Sequence, residues 1–152
     1  ILEQRFGYAF HGRDGYPPTV SGQTLPDRMT IGDIAISIVD QPHGSITSAG
    51  IRFDCNGKSI AYSTDLSDMT NEMAALFSGV DLWIVDALRW RPHPSHFSVE
   101  ESIAWHDRLR PRRTIFTHMH GDLDYRTLAA EVPSGIEPAH DGMVIELPLP
   151  RA

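Results

Sequence analysis

The chain has 152 residues, 41% of them hydrophobic and 22% charged, a length and balance that fit one ordinary domain with its own core. The formal net charge of -7 argues against a general nucleic-acid binder, because non-specific affinity for phosphate backbones comes largely from Lys and Arg. No apolar run reaches the roughly 18 to 20 residues that span a bilayer as a helix, so no membrane role is expected.

The chain opens Ile1-Leu2-Glu3-Gln4-Arg5, with no basic start followed by an apolar stretch, so no secretory signal is read. The cytoplasm is the expected location. The opening also lacks an initiator methionine, which leads to the expectation that these residues begin inside a longer protein. Residues 11–30 carry Gly12, Gly15, Pro17, Pro18, Gly22 and Pro26 and read as loop. Ile34 to Val39 alternates as a half-buried strand should. Ser48 to Asp54 and Lys58 to Ser63 read as a hairpin turned at Asn56-Gly57. The single cysteine, Cys55, lies in that hairpin, cannot form an internal disulfide, and reads as a small strand residue in a reducing compartment.

Met69, Met73, Ala74 and Phe77 recur at helical spacing, which predicts a helix over Asp68 to Phe77 with Ser67 as its N-cap and Gly79 closing it. Val80 to Ala87 is a mostly apolar run of the kind found in a strand covered on both faces. Ser98 to Leu109 opens on the capping box Ser98-Val99-Glu100-Glu101 and stops before Pro111. A strand over Arg113 to Thr117, a helix over Leu123 to Glu131 and a last strand over Met143 to Leu147 complete the series. Alternating strand and helix through residues 58–118 gives an α/β class with α+β character, helices packed on a sheet. The arginines Arg108, Arg110, Arg112 and Arg113 read as a solvated helix end favoured by the helix dipole.

Eight histidines in a chain of this size prove nothing by number; their places discriminate. His43, Asp65, His96 and His118 each fall just past a predicted strand, where binding groups gather on a sheet scaffold. Singly, each has a plain explanation as a turn, a cap or a strand-end residue. Together, in order, Pro42-His43-Gly44-Ser45 with Gly50-Ile51-Arg52-Phe53, Ile60-Ala61-Tyr62-Ser63-Thr64-Asp65, His93-Pro94-Ser95-His96-Phe97-Ser98, Thr117-His118-Met119-His120 and the closing Ala139-His140-Asp141-Gly142-Met143 form a set. That set resembles the C-terminal half of the metallo-beta-lactamase-fold hydrolases, in the phosphodiesterase branch. The branch includes the tRNA 3'-end-processing endonuclease and the cyclic-phosphate phosphodiesterase of phosphonate catabolism.

The resemblance implies the C-terminal half of a four-layer αββα fold, in which a mixed sheet is flanked by helices. It makes residues 1–152 a single partial domain, with a loop-rich lead-in over 1–30 and sheet and helices over 31–147. His43 then looks like the isolated histidine on the first of two divalent metals, Zn or Mn. Asp65 resembles the carboxylate bridging both, and His118 the late histidine on the second. His96 resembles the histidine that protonates the leaving oxygen. Metal-generated hydroxide would attack the phosphorus in line, and the expected ligand is a small cyclic phosphate or a nucleotide-like phosphodiester. A lactone or thioester hydrolase on the same fold is the alternative, and a non-catalytic binding remnant a third.

The H-x-H-x-D-H motif that should supply most remaining ligands is nowhere in these residues, and His118-Met119-His120-Gly121-Asp122-Leu123 only looks like it. The expectations are a missing N-terminal half as the partner, weak metal binding and no activity by the chain alone, and association through an uncovered sheet face, possible as a homo-oligomer. His120, Asp86 and Asp141 are candidates for substrate contact or for holding a ligand in place. Asp122 and Asp124 either do the same or cap the next helix, with capping expected for at least one. His11, His93 and His106 read as exposed or structural.

Overall fold

The computed structural model describes residues 2–148. Two short helices, α1 (Leu2–Arg5) and α2 (Gly7–His11), precede an irregular, mostly exposed stretch. The body is β1 (Arg28–Ile31), β2 (Ile34–His43), β3 (Ile46–Cys55), β4 (Lys58–Ser63), α3 (Asn71–Phe77), β5 (Leu82–Asp86), α4 (Val99–Leu109), β6 (Thr114–Thr117), α5 (Tyr125–Glu131) and β7 (Ile136–Pro138). The strands form one seven-stranded mixed sheet in chain order. The pairs from β1 to β4 are antiparallel, and those from β4 to β7 are parallel with helical crossovers.

Local chemistry explains most boundaries. Asn56 and Gly57 both sit at positive φ, 50° and 73°, as the tight turn between β3 and β4 requires. In α4 the hydroxyl of Ser98 accepts from the Glu101 N–H while Glu101 accepts from the Ser98 N–H, and Arg110 ends the helix in a left-handed conformation.

Four expectations are corrected. The first strand runs on to His43, so that residue ends β2 rather than following it, and β1 begins inside the stretch read as loop. Helix α3 starts at Asn71, capped by Thr70. Ser67 instead accepts the Gly44 N–H through its hydroxyl, and its own N–H bonds to Pro42 O, so its capacity is taken by the β2–β3 turn. The last strand is Ile136–Pro138, not Met143 to Leu147. The chain leaving α5 reaches β6 first, and bonds from Thr114 N to Gly135 O and from Ala139 N to Phe116 O hold it there. Residues 143–147 keep their alternation in exposure but pair with no strand.

One face of the sheet carries the helices. Val39, Ala61, Trp83, Val85, Phe116 and Ile136 pack with Met73 and Phe77 of α3, Val99 and Leu109 of α4, and Leu128 of α5. Trp83 lies fully buried there, and its indole N–H finds the Ser63 hydroxyl at 2.7 Å. On the opposite face the register aligns two apolar rows: Ile36, Phe53, Ile60 and Leu82, then Ile38, Ile51, Tyr62, Ile84 and Ile115. None of these belongs to the helix-packed core.

Candidate metal centre

Because β2 and β4 both run opposite to β3, and β5 and β6 run parallel to β4, these four strands end at one edge of the sheet. Carboxyl ends of strands are where open sheets gather their ligand groups. His43 ends β2, Asp65 stands two residues past β4, Asp86 ends β5, and His118 follows β6 directly. His96 arrives from the β5–α4 connection. That connection is held by Leu88 N to Phe97 O and Val99 N to Arg89 O. Gly44 sits at φ 60°, where a Cβ would meet the Ser95 Cβ at 3.1 Å, so glycine lets the β2–β3 turn close on the same connection.

The structure brings together five of the residues singled out from sequence. Asp65 Oδ1 lies 3.8 Å from His43 Nε2, 3.8 Å from His96 Nδ1 and 3.6 Å from His118 Nε2. The rings of His43 and His96 meet edge to face with centroids 4.7 Å apart, and those of His96 and His118 stack at 4.7 Å. Asp86 is fully buried behind them. Its Oδ2 accepts from Asp65 N at 2.9 Å and bonds His96 Nδ1 at 2.8 Å; its Oδ1 has no hydrogen-bond partner and lies 4.0 Å from His118 Nδ1. One donor atom from each of Asp65, Asp86, His96 and His118 falls within 4.8 Å of the others.

Proximity groups Asp86 and His96 with Asp65 and His118 and leaves out His43. Hydrogen bonding adds His43 to the candidate donors, because His43 and His96 both use Nδ1, toward Ser95 O at 2.7 Å and Asp86 Oδ2 at 2.8 Å, and each keeps Nε2 free. Asp65 Oδ1 lies 3.6 Å from His118 Nε2 and 3.8 Å from His43 Nε2, too far for hydrogen bonds, so these atoms are not committed to one another. The chemistry of the set, imidazoles around a short carboxylate, fits Zn or Mn.

Asp65 and His118 are both in the left-handed region, φ 60° and 57°. Such strain in non-glycine residues persists where surroundings over-determine it, commonly at functional sites. Around Asp65 the restraints include two residues that sequence reading missed, Gln41 and Ser48, which hydrogen-bond the carbonyls of Thr64 and Asp65. The sequence offers no signal for them, because the predicted strand ends at Val39 and only the extension of β2 to His43 puts Gln41 on the core face. His93 lies beside the cluster, its ring centroid 5.2 Å from that of His96. Desolvation, followed by the Arg89 guanidinium and the rings of His96 and His43, holds it below the ordinary imidazole value.

Two other candidates stand apart. His120 is exposed and pairs with Asp122 at 3.2 Å, and Asp141 has no hydrogen bond or ion pair to the cluster through its side chain. Asp124 is the N-cap of α5, accepting from Thr127 N. A groove of about 610 Å³ between β2 and α3, lined in part by Leu25, Arg28, Glu72 and Leu76, contains none of the cluster residues, so its size gives it no claim on the chemistry.

A cluster of imidazoles and carboxylates at the strand ends of a mixed α/β sheet defines a class, α/β proteins with a candidate divalent-metal site. Residues 1–119 match the family model described as a beta-lactamase superfamily domain, and the chain belongs to that family, the metallo-beta-lactamase-fold hydrolases. Among solved structures, a diphosphatase from the PhnP family is 28% identical with a TM-score of 0.83, and the match covers 98% of this chain and 55% of that one. Human tRNase Z, short form, matches at 18% identity and TM-score 0.64 over 81% of this chain and 47% of its own. Zinc-bound PqqB from Methylobacterium extorquens matches at 16% and 0.69 over 90% and 58%. The chain therefore spans about half the length of these structures. No curated protein matches it. Among the described residues no helix is long and apolar enough to cross a membrane.

Proposed function

We propose that this chain carries one side of the active centre of a metal-dependent phosphodiesterase acting on a small cyclic phosphate or a nucleotide-like phosphodiester. The observation that carries the reading is the Asp86–His96 pair beside Asp65. Asp86 takes the Nδ1 side of His96, so Nε2 is the nitrogen left to exchange a proton with a ligand. The likenesses to a diphosphatase and to tRNase Z support hydrolysis at phosphorus.

His43, Asp65 and His118 are the residues that would hold metal, and this reading gives Asp65 the role of the carboxylate shared between two ions. When bound, divalent ions supply Lewis-acid polarisation of the phosphoryl group and a water nucleophile at neutral pH. The chain's own contribution is the proton. Water adds its oxygen to phosphorus and releases a proton to solvent, the bond from phosphorus to the ester oxygen breaks, and protonated His96 gives the Nε2 proton to the departing alkoxide and takes one back from solvent afterwards. A phosphomonoester and an alcohol result, in one molecule where the substrate is cyclic.

A catalytic zinc takes about three protein ligands and keeps one open position. Three donors shared by two ions fall short, so the reading includes further ligands from polypeptide outside these residues and weak metal binding by the 152-residue chain alone. The test is hydrolysis by the full-length, metal-loaded protein of bis-p-nitrophenyl phosphate against a lactone and a thioester. Turnover of the diester alone supports the proposal. Turnover confined to the lactone or thioester, or none at all with metal bound, overturns it.

A further inference from the structure

Asp65 is held by its main chain more than by its side chain. Gln41 and Ser48 face each other across the β2–β3 ladder. Both hydrogens of the Gln41 amide are used: Nε2 donates to Thr64 O at 2.7 Å and to Ser48 Oγ at 2.9 Å. Ser48 Oγ then donates to Asp65 O at 2.6 Å. From the other side Asp86 accepts the Asp65 N–H at 2.9 Å. The peptide groups on both sides of Asp65 are therefore fixed while its φ stands at 60°, and the carboxylate faces the three histidines as a result.

The cost of this arrangement is visible. Gln41 is fully buried, yet its Oε1 has no partner. It lies against Gly50, where a Cβ would come within 2.6 Å of it, and flipping the amide would turn an oxygen toward Thr64 O. A buried acceptor left unpaired in a native structure asks for an explanation, and the two carbonyl bonds provide it.

We infer that Gln41 and Ser48 are positioning residues that set the conformation of Asp65 and through it the affinity of the centre for divalent metal. The inference rests on the reading of Asp65 as a metal ligand. It assigns neither residue a contact with metal or substrate.

The test measures Zn²⁺ affinity of the full-length protein by competition with a chromophoric chelator, and the visible absorption of the Co²⁺-substituted form. Ser48→Ala and Gln41→Met should each weaken Zn²⁺ binding on the order of 10- to 100-fold and alter the Co²⁺ bands, as loss of ligand-orienting partners does. Ser48→Thr, which keeps the hydroxyl, should stay within about threefold of wild type. Unchanged affinity in Ser48→Ala and Gln41→Met, with a loss in Asp65→Asn, overturns the positioning role alone. Unchanged affinity in Asp65→Asn as well overturns the ligand reading and the inference with it. Should Gln41→Met fail to fold, Ser48→Ala decides.

Discussion

Asp86 Oδ2 and His96 Nδ1 lie 2.8 Å apart, and the same fully buried carboxylate also accepts the Asp65 N–H. One side chain therefore sets the free nitrogen of the proposed acid and anchors the main chain of the proposed bridging ligand. Asp86→Ala should lower kcat on an alkyl phosphodiester about 10²- to 10⁴-fold, the range that a positioned acid contributes. Asp86→Asn can keep an oxygen on both partners and should lose less. Steady-state kinetics with circular dichroism as the folding control would check this; an unchanged kcat in a folded Asp86→Ala protein would count against it.

The proton donor can be isolated through the leaving group. p-Nitrophenolate departs without a proton, whereas an alkoxide at neutral pH needs one. His96→Ala should therefore cost about 10²-fold or more on an alkyl diester and far less on bis-p-nitrophenyl phosphate. Equal losses on both substrates would remove His96 from the acid role.

Much of the scaffold was legible because the signals were local. Asn56-Gly57 and the Ser98 and Glu101 capping box each decide a boundary within four residues of sequence. Strand β7 was not legible, because three residues ending in Pro138 carry little pattern of their own and are recruited by the open edge of β6. Thr70 displaced Ser67 as a cap for a similar reason, since the distant Gly44 and Pro42 occupy Ser67. The cluster residues were readable as an ordered set. The left-handed backbone of Asp65 and His118 was not, because neither is glycine and the groups holding Asp65 come from β2, β3 and β5.

Gly50 tests how tightly α3 closes over the sheet near Gln41. A Cβ there would lie 2.6 Å from Gln41 Oε1 and 2.7 Å from Phe77 Cζ, both fully buried side chains with little room to yield. Gly50→Ala should destabilise the fold by about 1–3 kcal/mol through overpacking. Chemical denaturation measures it, and a variant as stable as wild type would show that the helix gives way freely.

Asp81 ties the far end of the sheet together, with bonds from Ser59 N at 3.0 Å and Lys58 Nζ at 3.3 Å. Burial, the largest single influence, pushes its carboxyl upward. The Ser59 and Lys58 hydrogen bonds and the charges of Lys58 and Arg112 together outweigh it, leaving the value below the ordinary 3.8. A depressed folded value favours the ionised form, so this stabilisation is complete above the unfolded value and is lost as pH falls through the folded one. Asp81→Asn should cost on the order of 1 kcal/mol at pH 7, with the gap closing in acid. Urea titrations at both pH values check this, and a gap that is equal in both would sink it.

The apolar rows opposite the helices set the behaviour of the 152-residue chain by itself. Tyr62 stands 40% exposed between the half-buried Ile51 and Ile84, and Ile38 extends the same row onto β2, whereas Ile115 at its other end is already buried. Covering such a face gains about 25 cal/mol per Å² of apolar area, and no described helix packs on it. Apparent mass by light scattering should therefore exceed 17.0 kDa and rise with concentration. Tyr62→Lys places a charge in the middle of the row. Because Tyr62 already meets water, the change should spare the fold, yet any partner pressed against the face would have to desolvate the ammonium group. The variant should shift toward monomer with an unchanged circular dichroism spectrum. A wild-type chain that stays monomeric at high concentration would show that the rows tolerate water, and association undiminished in Tyr62→Lys would move the contact to another surface.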